Sequence, residues 1–311
     1  MSTRLPTLNI PNPVPDGVSP PPVSVIPGAV VHSLYDPHNV PPKPADGRHW
    51  TRFICISDTH EQIFPIPDGD VLLHSGDLTS TGMFRGVLKT MDWLCSLPHP
   101  KKIIIAGNHD LTFHKDWYKT EWIRWHRTEQ DPNAIMYFAV GPQAKEAGLV
   151  YLENEVHEFQ LRPNGRVWSV YGSPWTPEFY NWAFNYNRGQ QADEIVSSFP
   201  KTDILLTHGP PYSILDMTNG QTHVGCESLL ARLPALRPRL HVFGHIHEAH
   251  GVQIGEWLPA CSRPNAEPKE HTVFVNAAAW PDGDRKRTDG QRVPFGEGPF
   301  APVIVDLLDE P

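Results

Sequence analysis

The chain of 311 residues lacks any apolar run long enough to span a bilayer. Its longest, Lys101–Gly107 and Val303–Leu308, have the length of strands, so no membrane role is expected. An apolar signal-peptide core is missing too, because proline interrupts the N-terminus from Pro6 onward. Cysteine is scarce. Cys55, Cys95, Cys226 and Cys261 share no metal or disulfide spacing, and Cys55 sits in an apolar run as a small buried residue would. These absences suggest a reducing, cytoplasmic location. Positive charge is short as well, with 26 Lys and Arg against 35 Asp and Glu, a net charge of -9. Extended nucleic acid is therefore not an expected partner, since gripping a phosphate backbone needs clustered cations. A small charged ligand held through bound cations stays open.

Proline is abundant instead. Residues 1–48 contain Pro11-Asn12-Pro13-Val14-Pro15, Pro20-Pro21-Pro22 and Pro41-Pro42-Lys43-Pro44 with little apolar periodicity. Such a stretch is expected to build no sheet ladder and to be extended or disordered. It could dock a Pro-motif-binding protein, but a solvated tail or surface strap is the simpler reading. Residues 49–311 are expected to form one globular domain. Strand-like runs fall at Arg52–Ser57, Asp70–Ser75, Lys101–Gly107, Gly148–Leu152, Val156–Leu161, Val167–Gly172, Asp203–His208, Leu240–Gly244, His271–Val275 and Ala301–Leu307. Helices are expected at Met83–Leu97, Lys115–Arg127, Gly189–Ser198 and Gly225–Leu233, and a long surface loop at Asp282–Pro299. Strands alternating with helices predict an α/β architecture.

Polar clusters end five of these runs: Ser57-Asp58-Thr59-His60, Ser75-Gly76-Asp77, Gly107-Asn108-His109-Asp110, Thr207-His208-Gly209-Pro210 and Gly244-His245-Ile246-His247. The carboxyl ends of strands are where α/β sheets bind ligands, so five loops could converge on one place. Asp58 and His60 are two apart, a spacing that points both side chains the same way on an extended backbone, and His245 and His247 repeat it. A carboxylate has two oxygens and can bridge two cations, a role that suits the isolated Asp77. Asn108 offers a neutral carbonyl oxygen. Such mixed N and O donors favour Mn, Fe, Zn, Co or Ni over Ca. Two cations can acidify a water and clamp a phosphoryl group. Taken singly each motif is weak; their joint order at strand ends is what carries the reading.

These blocks resemble the calcineurin-like metallophosphoesterase superfamily, whose ordered pattern is D-x-H, G-D, G-N-H-[DE], H and G-H-x-H. The resemblance covers Trp50 to Leu308. It implies a four-layer sandwich of two central mixed β-sheets flanked by α-helices, and a dinuclear centre. Asp58, His60, Asp77 and His247 would hold one metal; Asp77, Asn108, His208 and His245 would hold the other, with Mn, Fe or Zn expected. His109 would be catalytic and not a ligand, contacting the phosphate and assisting the leaving group. Asp110 reads as a structural turn or cap residue.

The acid and Arg that follow the bridging Asp in the Ser/Thr phosphatases are absent from Gly76-Asp77-Leu78-Thr79-Ser80-Thr81-Gly82. A nearer resemblance is to the small metallophosphoesterase-domain-containing proteins of brain and fetal type, related to class III cyclic nucleotide phosphodiesterases. It rests on Gly172-Ser173-Pro174-Trp175-Thr176-Pro177, Trp182-Ala183-Phe184-Asn185, Thr207-His208-Gly209-Pro210-Pro211, His223-Val224-Gly225-Cys226 and Val242–Glu248. Some animal members carry Gly in place of the second His of G-H-x-H and are weakly active; here His247 is present. The resemblance implies a hydrolase for cyclic nucleotides or other small phosphodiesters. A phosphomonoesterase, a nuclease or a non-catalytic scaffold are the alternatives. Trp175, Tyr180, Trp182 and Phe184, with Arg188 behind them, could form a base-stacking wall with a phosphate contact, although loop packing is the simpler role for the aromatics. His223 could reach the site from a loop, but an ordinary surface histidine is the default.

Overall fold

A computed structural model describes residues 6–10, 23–258 and 270–310. Two seven-stranded mixed sheets form its centre. The first runs in the order Val23–Ile26, Ala29–His32, Val303–Leu308, Trp50–Ile56, Val71–His74, Lys101–Ile104, Leu149–Tyr151. Its last four strands are mutually parallel. The second runs Thr7–Asn9, Gly251–Leu258, Glu270–Asn276, Leu240–Phe243, Ile204–Thr207, Trp168–Ser173, Glu155–Phe159, with the four strands from Glu270–Asn276 to Trp168–Ser173 parallel. The sheets pack face to face through Val71, Leu73, Ile103 and Val305 on one side and Trp168, Val170, Leu206, Val242 and Val275 on the other. Strands buried on both faces need continuous apolar sequence, which is why Ile103-Ile104-Ile105 reads without alternation.

Helices cover both outer faces. Phe84–Ser96 presents Val87, Thr90, Met91 and Leu94 to the first sheet, the i, i+3, i+4, i+7 stripe of a surface helix. Pro132–Val140 and Pro142–Glu146 lie beside it. Asp131 accepts from Asn133 N and Ala134 N at the start of the former, with Pro132 in the first turn. Gln190–Ser197 and Glu227–Leu236 cover the second sheet. The four-layer α/β sandwich is therefore as expected, and Gly251–Leu258 is the longest of the strands that the sequence pattern did not announce. Its run is broken by Gln253, Gly255 and Glu256, and Gly255 faces Leu8 and Phe274 so closely that a side chain there would overlap Leu8.

The proline-rich segment departs from expectation. Pro11–Pro15 and Pro20–Pro22 lie outside the described residues, but the described parts of the segment do join the ladders. Thr7–Asn9 pairs antiparallel with Glu256–Leu258, and Val23–Ile26 and Ala29–His32 form a hairpin on Val303–Leu308. The prolines flank these strands instead of interrupting them. Pro27 and Gly28 (φ 77°) make the turn, where fixed φ and positive φ are wanted. Ala29 and Val31 are buried in the core between the sheets.

One ion pair ties these pieces together. Arg52 and Asp306 meet in a buried bidentate contact, Nε–Oδ1 2.8 Å and Nη2–Oδ2 2.7 Å, and Arg52 Nη1 donates to Pro41 O at 2.7 Å. Removing one partner strands the other charge. Asp306→Ala is expected to lower unfolding free energy by about 3–5 kcal/mol, measured by denaturant titration. A loss below about 1 kcal/mol would show that the guanidinium finds water or another acceptor.

Candidate metal centre

All five polar loops arrive at one place. Three leave the first sheet at the carboxyl ends of Trp50–Ile56, Val71–His74 and Lys101–Ile104; two leave the second after Ile204–Thr207 and Leu240–Phe243. Two groups of donor atoms form, each within 4.8 Å: Asp58, His60, Asp77 and His247 in one, and Asp77, His208 and His245 in the other. Asn108 joins the second, its Oδ1 2.8 Å from His208 Nε2. Asp77 is common to both, 3.8 Å from His60 Nε2 through Oδ2 and 3.4 Å from His208 Nε2 through Oδ1.

The backbone brings them together by a different route from the one expected. Asp58 (φ 51°), His60 (φ 44°), Asp77 (φ 52°) and His245 (φ 69°) all occupy the left-handed region, so neither D-x-H nor H-x-H is extended. His245 and His247 consequently part, one to each donor group. Such conformations cost of order 1–3 kcal/mol each and persist where the surroundings impose them. Two glycines make room: a Cβ on Gly107 would overlap Asp77 Oδ1, and one on Gly244 would overlap Asp58 Oδ2.

The donor set suits cations. His60 Nδ1 faces Thr79 O at 3.2 Å and His208 Nδ1 faces Ser75 O at 2.9 Å. A carbonyl only accepts, so those nitrogens carry hydrogens, and in the neutral ring each Nε2 is left with its lone pair. His60 Nε2 then meets His247 Nε2 at 3.5 Å, while His208 Nε2 meets the oxygens of Asn108 and Asp77. Lone pairs gathered this way repel unless a proton or a cation lies among them. Burial holds His60 neutral, lowering its pKa to about 4, and does the same to His245, to about 3. Burial acts in that direction on His208 also, but the Asp77 charge and hydrogen bond outweigh it and raise it to about 9. Burial opposes ionisation of Asp58, yet the hydrogen bond from His247 keeps its carboxyl below the usual range.

His109 stands beside these groups. Its backbone N–H donates to Asp77 Oδ1 at 2.8 Å, and its Nδ1 donates to Ser80 O at 2.8 Å. Its ring packs against Trp182 at a tilt of 33° with centroids 4.1 Å apart and meets His60 edge-on at 4.7 Å. Asp110 accepts from Gly107 N, Leu78 N, Thr79 N and Thr79 Oγ1, which makes it the pin between two of the loops.

Among the aromatics, Phe184 is buried and stacks on His114, while Tyr180 is 70% exposed. Arg188 is committed elsewhere: Nη1 donates to Gly225 O at 2.6 Å and pairs with Glu227 at 2.5 Å, and Nη2 donates to Val224 O. It anchors the loop before Glu227–Leu236, so its guanidinium is already engaged there and is not free for the phosphate contact considered for it. His223 is bonded to Asp216 at 2.5 Å. Two contributors went unread in the sequence. Trp280 packs edge-on to His60 at 5.1 Å, and Asn276 holds the fifth loop by donating to Ile246 O at 2.9 Å. Both follow the rule of strand carboxyl ends, since Glu270–Asn276 is another parallel strand of the second sheet.

The calcineurin-like phosphoesterase family profile matches residues 36–249. The chain belongs to the calcineurin-like phosphoesterase family. Metallophosphoesterase domain-containing protein 1 of Homo sapiens is 42% identical over 225 residues, covering 70% of this chain and 65% of that protein. The chain thus spans just under two thirds of the length of that relative. The UPF0046 protein K07C11.7 of Caenorhabditis elegans is 33% identical over 251 residues, covering 79% of this chain and 75% of its own. The solved structure of TT1561 from Thermus thermophilus is 11% identical, covers 74% of this chain and 90% of its own, and has a TM-score of 0.45. Family membership rests on the first three matches. The polar loops from Asp58 to His247 lie within the matched span. Among the described residues no helix is long and apolar enough to cross a membrane.

Proposed function

We propose that the protein hydrolyses small phosphodiesters, cyclic nucleotides among them, with two divalent cations held by Asp58, His60, Asp77, Asn108, His208, His245 and His247. The observation that carries this reading is the pair of donor groups sharing Asp77, with His109 packed against Trp182 beside them. Bound there, divalent cations would lower the pKa of a water and neutralise phosphoryl charge. The chain's own residues do the rest. Asp58 and Asp77 supply the anionic charge that draws cations in. Ser80 O holds the Nδ1 hydrogen of His109, so its Nε2 is the atom that can hand a proton to a leaving oxygen. Trp182, Trp280 and Phe179 stand around the donors, Phe179 5.9 Å from His245, and give the site the apolar rim that an aromatic ester group or a nucleobase prefers.

The test is a substrate panel with defined Mn: 2′,3′- and 3′,5′-cyclic nucleotides, bis-p-nitrophenyl phosphate and p-nitrophenyl phosphate. Diesters are expected to outrun the monoester by about tenfold or more in kcat/KM, a difference of about 1.4 kcal/mol in transition-state stabilisation. The reverse ratio would make the protein a phosphomonoesterase. No turnover of any ester at full metal loading would leave a scaffold.

A further inference from the structure

A second cavity lies at the far end of the sheets. It has a volume of about 540 Å³, within the range of small-molecule sites. Arg239 and Asp203 line it just before Leu240–Phe243 and Ile204–Thr207, the strands whose other ends deliver His245 and His208. At about 3.3 Å per residue, the run from Arg239 to His245 puts roughly 20 Å between the cavity and the metal centre.

The cavity is cationic in an acidic chain. Arg166, Lys201, Arg237 and Arg239 line it, against the two carboxylates Asp203 and Glu270. Both carboxylates are already engaged. Asp203 takes Arg166 Nη2 at 2.5 Å and the N–H and hydroxyl of Ser169, and Glu270 takes Arg237 at 2.5 Å. Arg239 is left with the carbonyls of Leu308 (3.0 Å) and Gly28 (3.4 Å), and Lys201 is exposed with no ion-pair partner among the described residues. The guanidiniums of Arg166 and Arg239 both sit over the ring of Trp168, at 5.3 and 5.1 Å from its centroid, which holds two like charges close together. Burial first, and then the charge of Arg166, lower the pKa of Arg239 to about 10. Fixed, crowded guanidiniums of this kind are discharged by a ligand of opposite sign. The rest of the lining is mixed: Ser169, Thr202 and His271 are polar, and Ile26, Pro27 and Ala29 at the hairpin turn, with Leu307 and Val273, are apolar.

We propose that this cavity binds a phosphate-bearing organic anion, separately from the metal centre. The phosphates lie against Arg166, Lys201, Arg237 and Arg239, and the organic part lies against Ile26 and Pro27 of the hairpin turn. Because the walls come from both sheets and from the turn at Pro27-Gly28, an occupant joins the N-terminal hairpin to the second sheet.

The full chain, stripped of metal on a chelating resin, is titrated calorimetrically with inorganic tripolyphosphate and then with adenosine triphosphate. Tripolyphosphate is expected to bind with a Kd below about 1 mM. Adenosine triphosphate is expected to bind more tightly. The double variant Lys201→Gln with Arg237→Gln removes two cations whose only ion pair among the described residues is the half-exposed one with Glu270, so it should keep the wild-type melting temperature. Its affinity for tripolyphosphate should fall by at least about tenfold. Asp77→Asn, at the other end of the molecule, should bind as wild type does. No binding to the wild type at several millimolar, undiminished binding in the double variant, or binding lost in Asp77→Asn would each overturn the proposal. Adenosine triphosphate binding no more tightly than tripolyphosphate would overturn the organic half of it.

Discussion

Asp77→Asn is expected to bring the metal content from two ions per chain to one or none and to lower phosphodiester turnover by more than about 10²-fold. That figure is the upper end of what losing a mere outer hydrogen-bond partner of a ligand costs, and Asp77 is placed to be a ligand twice over. Its two oxygens point to different donor groups, Oδ2 towards His60 and Oδ1 towards His208. Every other donor serves one group alone. The amide keeps the shape of the side chain, so folding should survive. It offers one oxygen instead of two and no charge, so two cations could no longer share it. Burial already works against the Asp77 charge, and His208 and His109 hold it ionised. The removal therefore also takes away the charge that keeps His208 protonated when no cation is bound. Elemental analysis of the purified variant is the deciding measurement. Two ions per chain in Asp77→Asn would show that the sites do not depend on a shared carboxylate.

That the candidate donors would converge was legible in the sequence, but the way they are aimed was not. Strand-end position singled out Asp58, Asp77, Asn108, His208 and His245 as candidates, because an apolar run followed by Gly, Asp, Asn or His marks where a parallel strand stops and a loop turns out, and the order of the motifs assigned them roles. The extended D-x-H geometry was wrong, because left-handed φ at Asp58 and His60 is imposed by the neighbouring loop: their backbone N–H groups bond to Gly76 O and Asp77 O. Contacts between loops leave no local signature. The same holds for Trp280, which reaches His60 from more than 200 positions along the chain. The N-terminal strands were hidden by composition. Proline was taken as a bar to pairing, whereas Pro27 serves the turn and Val23–Ile26 is an edge strand, the one place in a sheet where neighbouring prolines do little harm. Arg188 failed differently. Its nearness to the aromatic cluster in sequence suggested a phosphate contact, but its guanidinium is spent on the carbonyls of Val224 and Gly225.

His109→Asn should fold, keep its metals, and lose turnover in proportion to how badly the leaving group needs a proton. The side chain lies next to Asn108 in sequence, yet it enters neither donor group, so metal content should be unchanged. Ser80 O fixes one ring nitrogen as a donor and Trp182 fixes the plane of the ring, so Nε2 is presented in a set direction. That pre-orientation is what proton donation requires and what simple charge pairing does not. General-acid help is typically worth about 10²–10⁴-fold, so a diester with an alkoxide leaving group should lose about that much in kcat. A diester that expels nitrophenolate needs no proton and should lose far less. Trp182→Ala supplies the control for positioning: it frees the ring without removing it, so it should show a smaller loss with the same dependence on leaving group. Equal losses for alkoxide and nitrophenolate substrates in His109→Asn would remove the acid role and leave His109 as a residue that only grips the phosphate.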